Sequence, residues 1–190
     1  MRSALLALVL AAAPATAGGG AGKVFLTVDE ALALAFPECT IERTTEVLTE
    51  AEEQRFEKLA GFALENRIVR PYVAIKEGER VGTAYFDAHR VRTKNEVLML
   101  VVTPAERLAR VEVLSFAEPL EYLPRAAFYA QFQGQRLDER LDLGRGVRGV
   151  AGATLSAEAT TRAARRTLAL HRLLAERRPP PSPPPPVAAR

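Results

Sequence analysis

The run Gly149-Val150-Ala151-Gly152-Ala153-Thr154-Leu155-Ser156 sets a turn of small residues, with two hydroxyls, directly ahead of a helical run from Ala157 to Arg177. A helix start leaves backbone N–H groups unpaired and carries the positive end of the macrodipole, so it is a ready seat for an anion. Gly152 and Ala153 leave room for a ligand to approach the backbone. Arg145, Arg148, Arg162, Arg165 and Arg166 surround the turn, against one nearby acid, Glu158. The same residue types also make an ordinary helix start, with Ser156 or Thr154 capping the first turn. Chemistry alone leaves both readings open.

A second polar cluster holds Asp87, His89, Arg90, Arg92, Thr93, Lys94, Asn95 and Glu96. It falls between two predicted strands, where so many charges read as a solvated loop. His171, the other histidine, lies on the last predicted helix with no ligand spacing to His89, which argues against a metal there. Cys39 is the single cysteine, so no internal disulfide can form, and its thiol reads as buried and inert. Tyr122 either stacks on a bound ring or anchors its own loop to the core.

Gly152-Ala153-Thr154-Leu155-Ser156 also resembles the flavinylation motif of the FMN-binding domain family, which includes the periplasmic flavin-carrying subunits of Rnf and sodium-translocating NADH:quinone reductase complexes. In that family a dedicated flavin transferase links FMN, through its phosphate, to a threonine hydroxyl. The family pattern is Asp, two variable residues, Ser or Thr, Gly, Ala, Thr, often with a further hydroxyl two positions on. The resemblance puts the acceptor at Thr154 and the later hydroxyl at Ser156. Arg148 stands where the family has Asp, and Ala151 where Ser or Thr is usual. The run Tyr85 to Glu96 resembles the family region where an arginine or histidine lies near the flavin, here His89 or Arg92. Glu118-Pro119 approximates part of a His, Glu, Thr, Pro, Gly pattern beside the flavin, and Phe128 to Gly134 is similar to a Phe, Gln, Phe, Gly stretch. The resemblance thus implies FMN as cofactor, held by Arg148 and Gly152 to Ser156, with Glu118, Tyr122, His89 and Arg92 beside it. It also implies a membrane or periplasmic redox partner and a flavin transferase.

Composition agrees with an exported globular domain. Of 190 residues, 48% are hydrophobic and 26% charged, with the charges mixed along the chain and a net charge of only +3, which gives nucleic-acid binding little support. Met1 to Ala17 reads as a secretory signal, with Arg2 as its charged start, Ala4 to Ala13 as its apolar core and Ala15-Thr16-Ala17 as its cleavage site. The expected organisation is then a signal peptide over residues 1–17, a flexible leader over 18–25, the FMN-binding domain over 26–177 and a proline-rich tail over 178–190. The periplasm is the expected location.

The elements that must position these residues follow from pattern. Helices are predicted over Asp29 to Phe36, which Pro37 ends, and from the capping-box spacing at Thr49 to Glu52 as far as Gly61. Ile41 to Leu48 reads as an edge strand. Tyr72–Ile75, Val81–Phe86, Val97–Val102 and Ala109–Leu114 read as strands joined by short connections, hence antiparallel. On the last helix Ala159, Ala163, Leu170 and Leu174 make an apolar stripe bordered by His171, with Arg162, Arg165 and Arg172 opposite. The fold class expected is α+β: an antiparallel twisted sheet flanked by helices, with a C-terminal helix starting at the flavin motif. Three functions compete. The first is a periplasmic FMN-binding electron carrier. The second is a flavin-free interaction module acting through its proline-rich tail. The third is a flavin reductase or dehydrogenase, against which stands the lack of a Gly-rich dinucleotide fingerprint after any strand.

Overall fold

The computed structural model describes residues 22–177. The signal-peptide reading and the proline-rich tail lie outside those residues. The chain is α+β, as its pattern predicts. Strands β1 (Lys23–Val24), β2 (Thr40–Arg43), β5 (Tyr72–Lys76), β6 (Glu79–Arg90), β7 (Asn95–Val102) and β8 (Leu108–Phe116) form one antiparallel sheet in the order β1-β8-β7-β6-β5-β2. A small separate ribbon pairs β3 (Glu46–Val47) with β4 (Ile68–Val69). The helices are α1 (Val28–Ala35), α2 (Glu50–Ala60), the single-turn α3 (Ala126–Tyr129) and the long α4 (Thr154–Glu176).

The two-residue period of the strands builds a core on each face of the sheet. Ala84, Met99, Val101 and Leu114 point to one face, where α1 covers them with Ala31, Leu32 and Phe36. Leu98, Leu100, Val102, Leu108 and Val111 point to the other, beneath Phe56 of α2, Phe128 and Phe132, and Ala164, Leu168 and Leu173 of α4. Because β7 is covered on both sides, Leu98 to Val102 is a continuous apolar run. Gly82 of β6 makes room for α1, since a Cβ there would lie 2.8 Å from Cε1 of Phe36.

Local chemistry fixes the helix ends. Thr49 caps α2 by accepting the N–H of Glu52 at 3.3 Å, while the Glu52 carboxylate accepts the Thr49 N–H at 2.8 Å. Gly61 ends α2 at φ 84°, a left-handed conformation that suits glycine. The far end of α4 is tied down by Arg177, which reaches Glu46 at 3.0 Å, Glu52 at 2.5 Å and the Val47 carbonyl at 2.9 Å.

Four expectations are corrected. Within the leader expected to be flexible over 18–25, Lys23 and Val24 form β1, paired with Phe116 and Ser115 of β8. The edge strand expected over Ile41 to Leu48 divides into β2 and β3, which join different sheets. Strand β6 runs on to Arg90, so Asp87 and His89 belong to the sheet and not to a solvated loop. Helix α4 begins at Thr154, three residues ahead of the helical run expected from Ala157, and it is buried far more widely than its apolar stripe. Thr160, Thr161, Thr167 and His171 are all inside.

Candidate functional site

The start of α4 is open. Its N-cap is Ala153, which has no side chain to accept a bond, and no side chain caps the first turn. The Ala157 N–H bonds the Ala153 carbonyl at 3.0 Å, so the unpaired donors are those of Thr154, Leu155 and Ser156. The ordinary-cap reading is therefore corrected for both hydroxyls. Ser156 turns away from the helix end and donates to the Tyr122 carbonyl at 2.6 Å, tying α4 to the turn over Leu120–Tyr122. Thr154 is exposed. Just before the cap, Gly152 sits at φ 82°, and a Cβ added there would meet nothing within 4 Å.

These residues form one wall of a cavity of about 230 Å³, lined by Gly152, the N-cap Ala153, and Thr154, Leu155 and Ser156 of α4. Arg92, Glu118 and Tyr122 complete the lining. Residues singled out from three separate stretches of sequence thus meet around one opening. Glu118 brings a carboxylate to that lining, held by three donors. Its carboxylate accepts the N–H groups of Thr93 at 2.5 Å and Lys94 at 2.7 Å and the Thr93 hydroxyl at 3.1 Å. The bond from the Thr93 N–H, then that from Lys94, holds its pKa below the usual carboxylate value. Its role here is to clamp the β6–β7 turn that carries Arg92.

Two predicted site residues lie outside that lining. Arg148 is exposed, and its N–H donates to Gln131 Oε1 at 3.0 Å while its carbonyl accepts Gln131 Nε2–H at 3.2 Å. Gln131, within the Phe128 to Gly134 stretch, thereby anchors the chain that leads into Gly152. His89 lines an adjoining cavity of about 280 Å³, which shares Leu155 with the first and also meets Arg162 and Arg166.

His89 is the hub of a buried network. Tyr85, Asp87 and His89 alternate along β6 onto the face beneath α4, and Glu96 of β7 is paired directly across from His89. His89 donates Nδ1–H to Asp87 at 2.8 Å and Nε2–H to Glu96 at 3.1 Å. Arg166 of α4 grips both Asp87 oxygens at 2.7 and 2.8 Å, and the Tyr129 hydroxyl donates to Glu96 at 3.2 Å. Burial alone would lower the His89 pKa, but the bonds from the two carboxylates outweigh it and push it up to about 9. Burial likewise opposes the Asp87 charge, while His89 and Arg166 pull its pKa down overall. Two carboxylates therefore face two cations, and the network is neutral as a whole. Sequence reading named these residues but treated them as solvated, because pairwise neutralisation is invisible along one strand. The signal that was available is the alternation of Tyr85, Asp87 and His89, which continues the strand period.

Comparison of the chain with family models, curated proteins and solved structures finds no match. The site must be read from its own chemistry. Free N–H donors, the positive end of a 23-residue helix and Arg92 form a donor set for an anion such as a phosphate monoester. A cavity of about 230 Å³ is smaller than ordinary ligand pockets of roughly 300–1,000 Å³, so it suits one end of an extended ligand. The phosphate end of FMN fits that description. His171 contributes nothing to the site, being buried against the Tyr85 hydroxyl at 3.0 Å, and burial lowers its pKa to about 4.

Proposed function

We propose that this chain is a periplasmic FMN-binding electron carrier whose cofactor phosphate seats at the start of α4. One observation carries the reading: the hydroxyl-bearing turn, Arg92, Glu118 and Tyr122, far apart in the sequence, line a single cavity at an uncapped helix N-terminus. The N–H groups of Thr154, Leu155 and Ser156 receive the phosphate, and Arg92 adds a charge-assisted donor. Thr154, exposed and outside any cap, is the hydroxyl offered to a flavin transferase, whereas Ser156 is committed to Tyr122. Glu118 holds the turn that presents Arg92, and Tyr122 offers an aromatic face at the rim. Bound FMN supplies the redox chemistry, and the protein supplies seating, orientation and electrostatics. Its partners are then a redox protein of the membrane or periplasm and the transferase that attaches the cofactor.

The test is a fluorescence titration with FMN and with riboflavin, which lacks the phosphate. FMN should bind clearly more tightly, and Gly152→Asp should abolish the difference, because it adds a negative charge where the phosphate sits. The open space beyond Gly152 and the tolerance of Asp for left-handed backbone keep that variant folded. Equal affinity of folded Gly152→Asp for FMN would refute the placement. Failure of the unaltered chain to bind FMN at all would favour the flavin-free interaction module.

A further inference from the structure

Several basic residues of this chain tie its elements together through ion pairs. Arg55, Arg67, Arg166, Arg172 and Arg177 each meet a carboxylate at ion-pair distance. Those around the mouth of the cavity do not: Arg90, Arg92, Lys94, Arg125, Arg148 and Arg162 form no ion pair among the described residues. Arg92 lines the cavity, and Lys94 follows it on the turn clamped by Glu118. Arg90 and Arg162 line the adjoining cavity that shares Leu155, while Arg125 and Arg148 sit on the segments leaving Tyr122 and entering Gly152. The exposed carboxylates of this face are Glu65, Glu121 and Glu158, fewer than its basic residues, since Glu118 is turned inward. Amid these charges stand Leu120 and Leu155, each 48% exposed despite its size.

We propose that this face docks an acidic protein partner over the mouth of the cavity, with Leu120 and Leu155 at the centre of the contact and the arginines at its rim. Large apolar anchors ringed by arginine, with lysine scarce, match the composition of protein interfaces, and unpaired arginines favour planar carboxylates. Burying two leucines supplies modest affinity, and the charge ring supplies steering and orientation, which suits a short-lived encounter. The proposal rests on the flavin reading for what the contact accomplishes, the passage of electrons at the cavity mouth. The contact itself depends only on charge and shape.

The experiment uses the mature chain without added flavin, so a failure of FMN binding and a failure of docking are read separately. Poly-L-glutamate is titrated in as the probe, with amide chemical shifts as readout. Shifts should concentrate at Leu120, Leu155 and the surrounding basic residues, and affinity should fall several-fold as salt rises from about 0.02 to about 0.2 M, where the Debye length contracts. Lys94→Glu combined with Arg125→Glu reverses two charges whose side chains make no hydrogen bond or ion pair among the described residues, and it should weaken binding roughly tenfold. Lys58→Glu combined with Arg70→Glu makes the same change in net charge at two exposed sites elsewhere and should weaken it far less. Equal losses in the two double variants would reduce the effect to net charge and overturn the proposal. So would shifts that map away from the cavity mouth. Cosedimentation with phosphatidylglycerol vesicles that fails in the Lys94/Arg125 variant, with no response to poly-L-glutamate, would overturn it in favour of a membrane surface.

Discussion

Replacing His89 by Gln removes the cation that separates two buried carboxylates, and the size of the effect follows from the network. In the folded chain the imidazolium is held by Asp87 and Glu96, and its pKa stands at about 9 against an ordinary value of 6.5. A shift of that size corresponds to roughly 3 kcal/mol, at about 1.4 kcal/mol per pKa unit. The sign follows from proton binding. Between these two values the folded chain holds a proton that the unfolded chain has released, so stability falls as pH rises. The contribution is complete below about pH 6.5 and gone above about pH 9. Urea unfolding of the wild type and His89→Gln near pH 6 and near pH 10 measures it directly. The variant should be less stable by roughly 3 kcal/mol at the lower pH, with most of that gap closed at the higher. His171 does not interfere, because burial keeps it neutral throughout that range. The Tyr129 phenol, raised by burial and by Glu96, stays protonated as well. A gap of the same size at both pH values would refute the ionised network.

His171 governs the acid side. Its folded pKa of about 4 means that the unfolded chain takes up its proton first, so stability should decline between about pH 6.5 and pH 4 by up to roughly 3 kcal/mol, and His171→Phe should flatten that limb in urea titrations. After exposure to a flavin transferase, denatured Thr154→Ala should retain no flavin fluorescence on the polypeptide. Ser156→Ala should retain it while losing about 1–3 kcal/mol, because the Tyr122 carbonyl loses its donor. Retention in Thr154→Ala with loss in Ser156→Ala would reverse the assignment. Gly82→Ala should lower stability by about 1–3 kcal/mol in thermal or urea unfolding, since its Cβ would press on Phe36 at 2.8 Å, and an unchanged midpoint would contradict the seating of α1 on the sheet.

What the sequence disclosed and what it concealed divide along physical lines. The Thr49–Glu52 box and Gly61 bound α2 correctly because capping is local chemistry, settled within four residues. The meander was legible for the same kind of reason, since alternation and short connections leave antiparallel pairing as the simplest outcome. The end of β6 was not, because a pattern read one residue at a time sends Asp87 and His89 outward. Only Glu96 on the next strand and Arg166 on a helix some eighty residues away make them affordable inside. Ser156 could be read as a cap candidate because its acceptor, the Tyr122 carbonyl, is distant in sequence. The candidate site itself was named residue by residue from its resemblance, yet its closure depends on Glu118 clamping the Thr93–Lys94 turn and on Gln131 gripping Arg148, neither of which any spacing announces.

The grip of Arg177 on Glu46, Glu52 and Val47 gives the molecule a polarity. Helix α4 is a strut of 23 residues, about 35 Å at 1.5 Å per residue, with the cavity at one pole and this clamp at the other. Whatever is joined through Arg177 therefore holds the domain by the pole opposite its cavity. The contacts made there are with α2 and β3, away from the cavity.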